Sequence, residues 1–234
     1  MNKRQMTTCV LALLAITSLP TQAKNIEIKV AGSITPSGCT PTLSGASFDY
    51  GTMTSDSLTL DAYTTLDRKS LDLTITCDEP VKLAFETKNG RPNTLAGADE
   101  DAISGAGLSP ISAPSSPLNS WLQGTAVVGL GLSGSGHIGG YVVTIGGISA
   151  SGVSVQTISR DGSSGKWTDG GGNLYGIGVK KQISWKKGDV VEPVAVQALT
   201  MSLNVQAYIN KASELDLTKP IVLDGLSTIE LIYL

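Results

Sequence analysis

Apolar and polar residues alternate along much of this chain. In residues 70–77 the apolar positions Leu71, Leu73, Ile75 and Cys77 fall on every second residue, so an extended strand there has one apolar face. The same period recurs in 26–34 (Ile26, Ile28, Val30), in 81–86 (Val81, Leu83, Phe85) and in 228–234 (Ile229, Leu231, Tyr233). Segments 47–50, 141–145, 153–159, 182–185, 194–209 and 221–223 complete the predicted strands. The long one is expected to bend or break near Ala198. Almost no stretch shows helical periodicity. Many short strands punctuated by Gly and Pro predict an all-β sandwich or barrel. The last strand pattern reaches Leu234, so it is expected to be held in a sheet rather than frayed. An aromatic-aliphatic strand of this kind is also a good handle for another protein.

Between 88 and 120 the pattern dissolves into Gly, Ala, Ser, Pro and Asn around an acidic knot, Asp99-Glu100-Asp101. This predicts a long, mobile surface connection, with the carboxylates in a solvated turn. Segments 161–165 and 169–173 read as turns at strand ends. Segment 215–220 reads as a loop or a single helical turn. No repeat or linker divides the chain, so residues 24–234 are expected to form one domain.

The first 23 residues have the three parts of a secretory signal peptide. Lys3 and Arg4 give the basic start, 9–19 the apolar stretch, and Thr21-Gln22-Ala23 the small-residue cleavage site. The apolar stretch is short of the ~20 residues that span a bilayer, and Cys9 belongs to the discarded peptide. Export leaves Cys39 and Cys77, which in an oxidising compartment most simply pair. The loop they close would contribute roughly 4 kcal/mol in the chain-entropy model. Two free structural thiols are the alternative.

Charge narrows the function. Charged residues are 16% of the 234 and the net charge is −3, which excludes the basic footprint of a nucleic-acid binder. Gly134-Ser135-Gly136-His137-Ile138-Gly139 fits G-x-G-x-x-G literally, but no helix pattern follows, so a Gly-rich strand connection is expected. His137 is the one histidine. It has no Ser or Asp partner in a recognisable motif, and no metal set can be built from it alone. Asp99, Glu100 and Asp101 lack the alternating oxygen ligands of an EF-hand loop. Trp121, Trp167 and Trp185 could stack on a sugar, although tryptophans in β-sandwiches are more often core residues. No enzyme, cofactor or metal is expected.

Four local patterns resemble one family. Val30-Ala31-Gly32-Ser33-Ile34-Thr35-Pro36-Ser37-Gly38-Cys39 resembles a pilin first strand leading into the first disulfide cysteine. Phe48-Asp49-Tyr50-Gly51 resembles the short aromatic strand after it. Leu71-Asp72-Leu73-Thr74-Ile75-Thr76-Cys77 is similar to the strand holding the second cysteine. Leu223-Asp224-Gly225 with Ile229, Leu231 and Tyr233 is similar to the C-terminal strand with its penultimate tyrosine. The chain thus resembles fimbrial (pilus) subunits of the bacterial chaperone–usher pathway, and more narrowly the fimbrial-like secreted proteins grouped as domain of unknown function 1120.

The resemblance implies an immunoglobulin-like, pilin-type β-sandwich lacking its last strand, here with long loop insertions. It implies a periplasmic chaperone and usher as partners, with other fimbrial subunits. A neighbour's N-terminal extension would fill the open edge by β-augmentation. Ile229, Leu231, Tyr233 and Leu234 would form that chaperone and strand-complementation surface, and Ile26, Ile28 and Val30 the donor segment. Two departures fit a minor or tip component, or a secreted relative that completes its own sheet. Only 24–29 precede the first-strand pattern, and the middle is longer than in a simple pilin.

The expected function is a secreted structural or adhesive subunit, in the periplasm, on a surface fimbrium or released. One alternative is a self-complete periplasmic monomer of the same fold. Another is a carbohydrate-binding module recognising a host glycan through the tryptophans.

Overall fold

The structure, a computed structural model, describes residues 38–111 and 122–234. The leader 1–23, the segment 26–34 with Ile26, Ile28 and Val30, and Trp121 lie outside the described residues. The strands in chain order are β1 (Cys39–Leu43), β2 (Thr64–Thr65), β3 (Lys69–Val81), β4 (Leu83–Asn89), β5 (Gly107–Leu108), β6 (Ala126–Gly129), β7 (Leu132–Ser133) and β8 (Gly136–His137). They continue with β9 (Gly139–Ala150), β10 (Val153–Ser154), β11 (Gln156–Asp161), β12 (Thr168–Asp169), β13 (Lys181–Lys186), β14 (Val196–Ile209) and β15 (Ser227–Tyr233). Among the described residues the helical elements are single 3-10 turns, Ser55–Ser57 and Ala212–Glu214. The described residues are all-β, as their alternation predicts.

Two antiparallel sheets carry the fold. The first runs β1-β3-β14-β9-β6-β5, with β10 on β9 and β2 on β14. The second runs β12-β11-β13-β4-β15. Each contributes one apolar face to a shared core. Leu73, Ile75, Val143, Ile145, Leu199, Met201, Leu203 and Val205 come from the first, and Leu83, Phe85, Ile183 and Trp185 from the second. Phe85 and Trp185 pack at 5.5 Å between ring centroids with a 59° tilt, a favourable aromatic geometry. This is the arrangement of a β-sandwich.

The predicted mobile connection is corrected over 88–111. Leu95, Ala96 and Ile111 join Leu122, Val127, Val142 and Tyr208 in a second buried cluster. It covers the outer face of β6, β9 and β14. The Tyr208 hydroxyl donates to the Ala96 carbonyl at 2.7 Å, and Tyr63 meets the Tyr208 ring edge-on at 5.4 Å. Gly139 permits the close approach here, because an added Cβ would collide with the Tyr208 carbonyl. Residues 112–120 lie outside the described residues.

Other departures have local causes. Segment 47–50 is not a strand: Asp49 Oδ1 accepts the Gly51 N–H at 2.7 Å, and Gly51 has φ 67°. That Asx turn bends the chain, leaving Phe48 and Tyr50 half-buried against the core. Segment 221–223 alternates in burial, with Val222 76% exposed, but pairs with no strand among the described residues. β14 is one strand, not two. Its bend is a register shift against β3 between Val196 and Ala198, with another against β9 between Thr200 and Ser202. Val81 belongs to β3, paired with Val196, rather than to β4. β6 is a strand that period-two reading missed.

Candidate strand-pairing edge

β15 is the last strand of the second sheet. It pairs along its whole length with β4, in the register Ile229↔Thr87, Leu231↔Phe85 and Tyr233↔Leu83. Ile229 and Leu231 therefore share the inward face of Phe85 and pack on the core, as their alternation predicts. Yet both are only half-buried, and Tyr233 is 51% and Leu234 45% exposed. On its other side β15 has no strand partner among the described residues. A core-facing strand with one side uncovered is an edge of the kind that accepts an added strand. Its outward residue Glu230 pairs with Lys88 at 2.6 Å.

β1 is the corresponding edge of the first sheet. Cys39 and Cys77 are directly opposed in the β1–β3 ladder and are joined as a disulfide. Pro41, which lacks an N–H, sits in this edge strand, where proline is tolerated. The two edges meet at one corner, where the Cys39 N–H donates to the Tyr233 hydroxyl oxygen at 3.0 Å. Beyond the strands, the segment after β1 and the segment before β15 border an open cleft of about 360 Å³ with mixed polar and apolar walls. Met53, Leu58, Ile221 and Leu223 line it, over Ile138 and Ile209.

The entry to β15 is fixed by contacts that sequence reading did not find. The Ser227 hydroxyl is shared by Tyr141 at 2.7 Å and Tyr175 at 2.8 Å. Burial pushes the Tyr141 hydroxyl up to about 12, and the Tyr175 hydroxyl also upward. Three residues earlier, Asp224 takes two hydrogen bonds from the Arg91 guanidinium, both at 2.7 Å. Those bonds raise the Arg91 pKa and lower that of Asp224. The Leu223-Asp224-Gly225 pattern marked this place, but nothing local in the sequence pointed to Arg91.

The other candidates are dispersed. His137 is exposed at the end of the β7–β8 hairpin, whose turn carries Gly134 at φ 61°. The G-x-G-x-x-G stretch is therefore hairpin and strand with no helix after it. Trp185 is fully buried in the core, which removes it as a sugar platform. Trp167 is half-exposed under the Arg160 guanidinium, 4.5 Å from the ring centroid. Glu100 is no solvated turn residue: it accepts the main-chain N–H groups of Asn93, Thr94 and Leu95. Among the described residues no group of three or more His, Cys, Asp and Glu is placed to hold a metal ion.

A family model described as "Protein of unknown function (DUF1120)" matches residues 28–142. That span includes the disulfide and runs from before β1 into the start of β9. The chain is also 25% identical over 241 residues to "Protein GltF" of Escherichia coli (strain K12), covering 96% of this chain and 94% of that one.

Proposed function

We propose that this chain is an exported, fimbrial-type subunit whose open β15 edge pairs with an extended segment of another polypeptide. One observation carries the reading. Ile229 and Leu231 lie over the shared core on a strand that, among the described residues, is paired on one side only, next to the exposed Tyr233. Main-chain hydrogen bonds to that free side would supply affinity, and apolar side chains entering between β15 and β1 would supply specificity. The resemblance of both chain ends to pilins supports a periplasmic chaperone as the first partner, with an usher and other fimbrial subunits following. The packed insertion over 88–111 suits a minor or tip component, since it enlarges the surface of one subunit without lengthening a donor strand. The role is structural or adhesive, in the periplasm or at the cell surface, and needs no catalytic centre.

The test is Tyr233→Ser. It removes aromatic area at the exposed end of the edge and leaves Ile229 and Leu231 in place. The variant should be less abundant in the periplasm and should recover less chaperone in a pull-down than wild type. Wild-type values for both would overturn strand pairing in favour of a self-complete monomer.

A further inference from the structure

The second sheet does not close evenly. β13 and β4 are in register at Gln182↔Glu86 and Ile183↔Phe85 only. Past that point β4 follows β15 through Thr87, Lys88 and Asn89, while the start of β13 follows β11. The strands diverge, and the gap between them is a cleft of about 250 Å³. Thr87 and Lys88 form one wall, Lys180 and Lys181 the other, and Ile103 and Ser104 close it over.

Its charges are unevenly matched. Lys88 is committed to Glu230, and Glu86 accepts a hydrogen bond from the Gln182 amide at 2.9 Å. Lys180 and Lys181 form no ion pair among the described residues. The Lys181 ammonium is half-buried and donates to the Asn173 carbonyl at 2.8 Å. Burial pushes its pKa down, opposed by Asp161, its cross-strand neighbour on β11. The Thr87 hydroxyl is buried without a hydrogen-bond partner. Asp161 acts on the Lys181 ammonium without forming an ion pair, and Glu86 also lines the cleft; an entering anion would add a charge-assisted hydrogen bond to a partly desolvated cation. All this sits on a chain of net charge −3.

We propose that this cleft binds a small organic anion, with the charged group on Lys180 and Lys181 and the polar body against Thr87 and Ser104. The shared chemistry is an anionic oxygen group on a hydroxylated body about the size of one sugar. A carboxylate and a phosphate ester are the two sources. The inference does not rest on strand pairing at β15, because the cleft opens between β4 and β13.

The test is amide NMR titration of the mature protein with glucuronate, with glucose 6-phosphate and with neutral glucose, at fixed ionic strength. At least one anion should give saturable shifts at Lys181, Thr87 and Ser104, and glucose should give none. Whichever anion binds names the charged group. Lys181→Met should weaken binding about tenfold, equivalent to ~1.4 kcal/mol, and Lys181→Arg should restore most of it. Lys219→Gln, a charge change outside the cleft, should bind as wild type. Lys180→Gln should also weaken binding and supplies the reading if Lys181→Met does not give a folded spectrum. No saturable shift with either anion on the order of 10 mM, equal shifts with glucose, or unchanged affinity in the folded lysine variants would each overturn the proposal.

Discussion

Glu100 anchors the insertion, and replacing it should loosen that layer before the sandwich itself. Its carboxylate accepts the Asn93 N–H at 2.6 Å, the Thr94 N–H at 3.0 Å and the Leu95 N–H at 2.8 Å. Asn93 holds φ 61°, which turns these three groups toward one acceptor. Thr94 and Leu95 are buried, at 8% and 4% exposure, so water cannot readily replace the carboxylate there. Glu100→Ala leaves two buried donors unpaired at about 1–3 kcal/mol each, an expected loss of about 2–6 kcal/mol. Glu100→Gln keeps one acceptor oxygen and should lose about 1–3 kcal/mol. The loss should be local first, because the second cluster covers only the outer face of β6, β9 and β14. Hydrogen exchange should show faster opening at Thr94, Leu95 and Ala96, with Ile75 and Leu203 still protected. Urea unfolding should show the lowered stability of the layer as an earlier or broader transition. Glu100→Ala within about 0.5 kcal/mol of wild type, with unchanged exchange at Thr94 and Leu95, would refute the anchoring role.

Further outcomes follow from the same contacts. Cys39→Ser should cost about 2–5 kcal/mol of stability, measured by denaturant unfolding; unreduced peptide mapping of wild type should link Cys39 to Cys77, and two alkylatable thiols in the native protein would contradict it. The Arg91 hydrogen bonds hold the Asp224 carboxyl below its ordinary value of 3.8. Its stabilising contribution is therefore complete above that value and is lost as pH falls through the lowered one. Thermal melts of wild type and Asp224→Asn should converge as pH drops below about 4, and a constant gap down to strong acid would contradict the assignment.

Much of the sandwich was legible because a strand with one buried face must alternate. β3 and β15 show this, and Leu73, Ile75 and Leu231 face the core their spacing predicts. β6 was not legible for the converse reason. Val128 faces the first core and Val127 the second, so both sides are apolar and the period vanishes. Segments 70–77 and 81–86 read as two strand patterns, but β3 continues from the first through Pro80 to Val81. The β14 register shift opposite leaves that stretch out of the regular ladder, where proline costs little.

The insertion was misread because its Gly, Ser and Ala residues look like linker. Its order comes from one carboxylate and one tyrosine more than a hundred positions away. At the candidate edge, Ile229, Leu231 and Tyr233 were visible as one face, and Cys39 with Cys77 as a pair. The contact between Cys39 and Tyr233 spans 194 positions, and the Arg91–Asp224 clamp spans 133. No local pattern encodes either. The lysine cleft was invisible because it exists only where two strands part.

The most direct test of strand pairing is site-specific photocrosslinking in cells from position 233, with a photoreactive phenylalanine in place of Tyr233. That side chain projects where β15 and β1 meet and is already half in solvent. The expected result is an adduct whose second component is a periplasmic chaperone or another exported β-sandwich subunit, identified by mass spectrometry and lost when Leu231→Asp disrupts the edge. Adducts confined to this chain's own residues would contradict strand pairing between polypeptides and show that the protein closes its own sheet.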